Sequence, residues 1–264
     1  MNRFLLLGAL ILATGCAVST QQEVEMGQSY SQQVNSQLPI IKDPELNRYI
    51  NVLGDSLARI ADNRALDWHF FIVDSKEVNA FAIPGGYVYV NRGLIERAIK
   101  MDMLAGVMGH EIGHVTQRHS VKQMQKAQGA NIGLTLGCVL TGVCNNGIAN
   151  TAIQLGGSAV FAKFSRSDEA EADKVGVDYV TRAGIDPRGI PEMFQVLLDE
   201  RKSQPGALDA FFQTHPLEES RIAATEAQIS HINSSVLASL TKDSPRYQEF
   251  RQRLMSLPAK SASR

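Results

Sequence analysis

The chain predicts an α+β fold that is predominantly helical, with one small sheet. Three observations carry this. Apolar residues recur at helical spacing over long stretches on both sides of the chain's centre. Strand formers are concentrated in one short region, "WHFFIV" followed by "AFAIPGGYVYVN". The 264 residues are 44% hydrophobic and 20% charged, which gives ample length for a buried core.

The chain opens on "MNRFLLLGALILATGC". Arg3 precedes an apolar run from Phe4 to Ala13 that is too short to span a bilayer but suits a signal peptide. Small residues before Cys16 resemble a bacterial lipobox, with Ala13 in place of the usual larger aliphatic residue. That resemblance implies removal of residues 1–15 and lipidation of Cys16. Ala17, rather than Asp, implies sorting to the periplasmic side of the outer membrane in a Gram-negative cell. Residues 16–40, rich in Gln and Ser, read as a tether that becomes helical.

Residues 41–244 read as the main domain. Asp43 and Pro44 are an N-cap and first helical residue. Leu46, Ile50, Leu53, Leu57 and Ile60 then line one helix face. After the strands, helices are expected over Arg92–Ala98 and from Asp102 to about Gln125. Ala127–Val160 is Gly-rich and apolar, too rich in glycine to span a membrane, and reads as a flap or lid. Within it, Cys138 and Cys144 form a candidate disulfide in an oxidising compartment. Helices resume at "SRSDEAEADKVGVDYVTRAG", which ends at Gly184, and continue through "DPRGIPEMFQVLLDERK" and "HPLEESRIAATEAQISHI". Residues 245–264 read as a polar, partly loose tail. The formal net charge of −1 gives no basic excess, so nucleic acid is excluded as a partner.

The chemistry lies in "VMGHEIGHVTQRHS". At about 100° per residue, His110 and His114 sit about 40° apart and one turn from each other, so both imidazoles can reach one ion. Glu111, at the edge of that face, can reach a water on the metal without ligating it. His119 falls about 140° from His114 on a continued helix and reads as a polar residue near a helix end. Gln117 and Ser120 stand where a longer zinc protease motif needs Gly and His. A third ligand must come from elsewhere, and "SDEAEAD" offers it. Glu169 and Asp173, four apart, share a face, while Glu171 points the other way. Periodicity selects the pair without saying which member ligates.

Four segments, "NAFAIPGGYVYV" from Asn79, "GHEIGHVTQRH" from Gly109, "SRSDEAEAD" from Ser165 and "THPLEESRI" from Thr214, occur in the order found in the M48 family of zinc metalloendopeptidases. The chain resembles that family, its small periplasmic lipoprotein members in particular, over about Glu23 to Ile232. The resemblance implies a gluzincin-like domain holding one zinc ion through His110, His114 and Glu169, with Glu111 as catalytic acid/base. Asp173 closes the family's Glu-x-x-x-Asp pattern and acts as second-shell support or proton donor. Support is the better reading, because a carboxylate bound to a ligand His is a poor acid at neutral pH. His215 and Arg221 are candidates to stabilise the oxyanion, and His215 could instead fill the fourth metal position in a resting state. Asn79, Ala80, Tyr87 and Tyr89 would lie on an edge strand that lines the cleft and pairs with an extended substrate. The implied partners are unfolded polypeptides, the membrane through the lipid anchor, and the outer-membrane assembly machinery. The implied function is proteolytic quality control in the envelope. A chaperone or assembly factor using the same groove is the alternative.

Overall fold

The computed structural model describes residues 18–129, 163–203, 208–216 and 219–258. Helix α1 (Thr20–Gln37) starts at a reciprocal cap between Ser19 and Gln22. Helix α2 (Pro44–Ala61) starts as expected at Asp43, whose carboxylate accepts from the amides of Glu45 and Leu46. Strands β1 (His69–Val73), β2 (Ala80–Ile83) and β3 (Tyr87–Asn91) form one sheet in the order β1-β3-β2. β2 and β3 are an antiparallel hairpin turned by Pro84, Gly85 and Gly86, and both glycines have positive φ. β1 runs parallel to β3.

Helix α3 (Arg92–Arg97) leads to α4 (Met101–Thr116), whose residues from Met101 to Val115 are all buried. α4 packs against α2 and the sheet, and against α6 (Arg166–Arg182) and α7 (Gly189–Ser203). Between α4 and α6, α5 (His119–Gly129) is the last element before residue 130. α8 (Asp209–Thr214), α9 (Glu219–Ser230), α10 (Ser234–Ser239) and α11 (Pro245–Ser256) complete the chain.

Glycines on α4 set how closely its neighbours approach. A Cβ on Gly113 would lie 2.9 Å from Val175 Cγ2 and 3.1 Å from the Ala172 carbonyl oxygen, both on α6. A second, smaller core lies between α1 and the sheet, built from Tyr30, Val34, Val73, Phe81, Ile83 and Tyr89.

Two expectations are corrected. The helix expected over residues 102–125 is two helices, broken at Gln117 and Arg118, with Arg118 at φ 58°. The polar tail expected to be partly loose beyond Ser244 forms the packed helix α11 as far as Ser256. Tyr247, Phe250 and Leu254 recur at helical spacing and enter the main core. The Arg92 guanidinium donates to the carbonyls of Leu254 and Leu257 and pairs with Asp74 at 2.7 Å, tying the end of α11 to the sheet. The short helices α8 and α10 lack enough turns to show a periodicity and were not expected. Cys16, Cys138, Cys144 and the Ala127–Val160 lid lie wholly or largely outside the described residues. No helix among the described residues is long and apolar enough to cross a membrane.

Candidate metal centre

Because α4 is buried all round, its two histidines point into protein rather than solvent. His110, His114, Glu169 and His215 are all buried and each offers one atom within 4.8 Å of the others. His110 Nε2 and His114 Nε2 are 3.0 Å apart. Glu169, from α6, places Oε1 3.3 Å from His114 Nε2 and Oε2 3.5 Å from His110 Nε2. His215, the C-cap of α8, places Nδ1 3.1 Å from Glu169 Oε1 and 3.4 Å from His110 Nε2. Atoms held at about 2.0–2.1 Å around a tetrahedral ion lie about 3.3 Å from one another. The observed separations of 3.0–3.5 Å fit that spacing.

A second layer orients these groups. Asp173 Oδ1 is 2.8 Å from His110 Nδ1. An ionised carboxylate beside Nδ1 favours the proton on that nitrogen and leaves Nε2 to face the centre. Arg221 grips Asp173 with two hydrogen bonds, of 2.7 and 2.6 Å, and lies 2.5 Å from Glu169 Oε2. It also donates to the Pro216 carbonyl. The guanidinium is thus engaged with both carboxylates and with the Pro216 carbonyl.

Glu111 is 1% exposed, and its Oε1 lies 3.6 Å from His215 Nε2, beyond hydrogen-bond length. Burial pushes its carboxyl up, partly opposed by His215 and His110. Burial works against a charge on Glu169, but His215, His110 and His114 outweigh it and hold the carboxyl well below the usual range. Burial likewise opposes a proton on His110. There Asp173 and Glu169 prevail and push its pKa up to about 10, so a proton and a cation compete for Nε2. For His114 burial prevails and holds the pKa well below the ordinary histidine value.

Two further expectations change. His119 is buried, with Nδ1 2.9 Å from His114 Nδ1, because the break at Arg118 turns it back toward α4. Glu171 does leave the face of Glu169, but it reaches His119 Nε2 at 3.1 Å. Tyr87 and Tyr89 stand on the central strand, not an edge. Tyr89 is fully buried beneath α1, bonded to Ser31 and Asn35. The outer strand beside α4 is β2, which carries Ala80, and Asn79 immediately precedes it. Sequence reasoning missed Glu23, Arg64 and Arg118. Glu23 is buried, accepts from both arginines, and so links α1 to the end of α4. Single charged residues far apart in the chain carry no pattern that would reveal such a cluster.

Two histidines one turn apart on a helix, a carboxylate from a second helix and an adjacent buried Glu define a gluzincin-type metallopeptidase centre. The chain belongs to peptidase family M48, whose model matches residues 44–229. It is 35% identical over 236 residues to the beta-barrel assembly-enhancing protease of Escherichia coli (strain K12), covering 86% of this chain and 48% of that one. It is 36% identical over 216 residues to the putative beta-barrel assembly-enhancing protease of Vibrio cholerae, covering 79% and 44%. With the metalloprotease LoiP of Escherichia coli (strain K12) it shares 27% identity over 206 residues, 78% of this chain and 79% of that one. The chain thus spans about half the length of the beta-barrel assembly-enhancing proteases that it matches.

Proposed function

We propose that this chain is a zinc endopeptidase of the bacterial cell envelope that hydrolyses unfolded or misassembled outer-membrane proteins. The observation that carries the chemistry is the convergence of His110, His114 and Glu169 beside the buried Glu111. Two imidazoles and one carboxylate are a donor set suited to zinc. When bound, zinc supplies Lewis acidity that lowers the pKa of a water and polarises a peptide carbonyl. Asp173 and Arg221 hold His110 in the tautomer that leaves Nε2 free. Glu111, its carboxyl pKa raised by burial, takes the proton of the attacking water and delivers it to the leaving amine nitrogen. His215 stands at the fourth corner of the cluster, where a catalytic site keeps an open position. It therefore guards a resting state and moves aside when substrate enters.

An extended substrate pairs with the outer edge of β2, which has no strand partner among the described residues. Asn79 supports this, since both of its side-chain amide atoms are buried without a hydrogen-bond partner at the head of that strand. A lipid on Cys16 would hold the domain against the membrane surface, because helix α1 starts close by at Thr20. The name of the beta-barrel assembly-enhancing proteases favours beta-barrel proteins as substrates. The resting position of His215 favours a second role, holding such clients without cutting them.

The test is cleavage of unfolded casein by a soluble form starting at Ala17, with zinc content measured on parent, Glu111→Gln and His215→Ala. The expected outcome is one zinc in the parent and in Glu111→Gln, cleavage abolished in Glu111→Gln, and cleavage raised in His215→Ala. Zinc without cleavage by the parent or by His215→Ala would leave only the holding role. No zinc in the parent would sink the reading.

A further inference from the structure

We infer that His119, backed by Glu171, is a positioning residue that fixes His114 as a metal ligand. The inference rests on the zinc reading above, and it concerns a residue outside the converging group. On an unbroken helix, His119 would point about 140° away from His114. Arg118, at φ 58°, turns the chain so that His119 comes back over the end of α4 with no exposed surface. A left-handed conformation is costly for a residue with a Cβ and persists only where its surroundings impose it. Here they do. Arg118 Nε donates to the buried Glu23 carboxylate at 2.8 Å and its Nη2 to the Val18 carbonyl at 2.6 Å. Glu23 also holds Arg64, which donates to the Val115 carbonyl of α4.

The proton assignment follows from the endpoint of the chain. Glu171 is ionised and can only accept, so His119 Nε2 donates to it across 3.1 Å. Lys122 Nζ stands 3.7 Å from the same oxygen. With Nε2 donating to Glu171, His119 presents Nδ1 as acceptor to His114 Nδ1, 2.9 Å away. That leaves His114 Nε2 with its lone pair toward His110 and Glu169. His119 thus does for His114 what Asp173 does for His110. Phe164 stacks on the His114 ring at 3.9 Å and fixes its plane, but supplies no acceptor.

The test is zinc affinity of the detergent-solubilised full chain by chelator competition, with the visible spectrum of the cobalt-loaded protein as a second readout. His119→Phe fills the space without ring nitrogens and should bind zinc roughly 10- to 100-fold more weakly, with an altered cobalt spectrum. His119→Asn, whose Oδ1 can accept from His114 Nδ1, should stay within a few-fold of the parent. Glu171→Ala, at the half-exposed end of the chain, should lose several-fold and serves if His119→Phe does not fold. Parent-like affinity in His119→Phe or Glu171→Ala, or equal loss in Phe and Asn, would overturn the inference. A parent without zinc would instead be a failure of the function reading.

Discussion

Arg221 balances two carboxylates that share one buried pocket. It holds Asp173 through Nε and Nη2 and pairs with Glu169 through Nη1. Burial opposes charge on Asp173, and His110 and Arg221 outweigh it and hold the carboxyl below its ordinary value. Removing the guanidinium leaves like charges facing each other in a dry site, which costs about 3 kcal/mol or more. Arg221→Met should therefore lose about that much stability in denaturant melts run with a chelator. It should recover part of the loss in excess zinc, because a cation substitutes for the missing charge. An Arg221→Met protein as stable as the parent with chelator present would contradict the balance described. Lysine should restore the charge but not the paired geometry.

At the scale of elements, the centre depends on how closely α4 and α6 approach. The carboxylates on α6 are short, and the ring of His110 lies 2.8 Å from Asp173. Gly113 permits this, since a methyl there would press on Val175 and on the Ala172 carbonyl. Helix propensity alone favours Gly113→Ala by about 1 kcal/mol. The packing predicts the opposite sign. The helices must separate, and stability should fall by about 1–3 kcal/mol. Zinc affinity should fall with it, because Glu169 and Asp173 withdraw together. A raised melting temperature with unchanged affinity would show that the approach does not matter. Within the same pair of layers, the break after α4 was invisible in the sequence. Gln117 and Arg118 are ordinary helix residues, and distant partners, Glu23 of α1 and the Val18 carbonyl, hold Arg118 out of the helix.

For the whole molecule, Asp102 sets an expected pH dependence. It sits at the start of α4 with 1% exposure and both carboxylate oxygens without a hydrogen-bond partner. Burial, with Glu192 and Asp186 adding and Lys100 opposing, pushes its pKa up from 3.8 to about 6. The folded state then binds this proton more tightly than the unfolded state. The resulting stability is present at low pH and is lost as pH rises through about 6. A shift of about two units corresponds to at most about 3 kcal/mol. Asp102→Asn should therefore be more stable than the parent by about 1–3 kcal/mol at pH 8, and the difference should vanish near pH 4. Denaturant melts of both proteins across that range check it, and a constant difference would remove Asp102 as the source.

The sequence by itself determined the two histidines and the Glu of α4, the face shared by Glu169 and Asp173, the start of α2 and the β2–β3 hairpin. Each follows from a period of 3.6 or 2, or from local cap and turn chemistry. Those features need only neighbours a few residues away. The tertiary structure decided what depends on distant partners. It turned Arg221 toward the carboxylates, drew His215 to the fourth corner and brought His119 behind His114. It put β3 rather than β2 in the middle of the sheet, and packed α11 into the core through Tyr247, Phe250 and Leu254. Buried charges find partners across tens to hundreds of residues because a low-dielectric interior makes an unpaired charge costly, and no local period records where that partner lies.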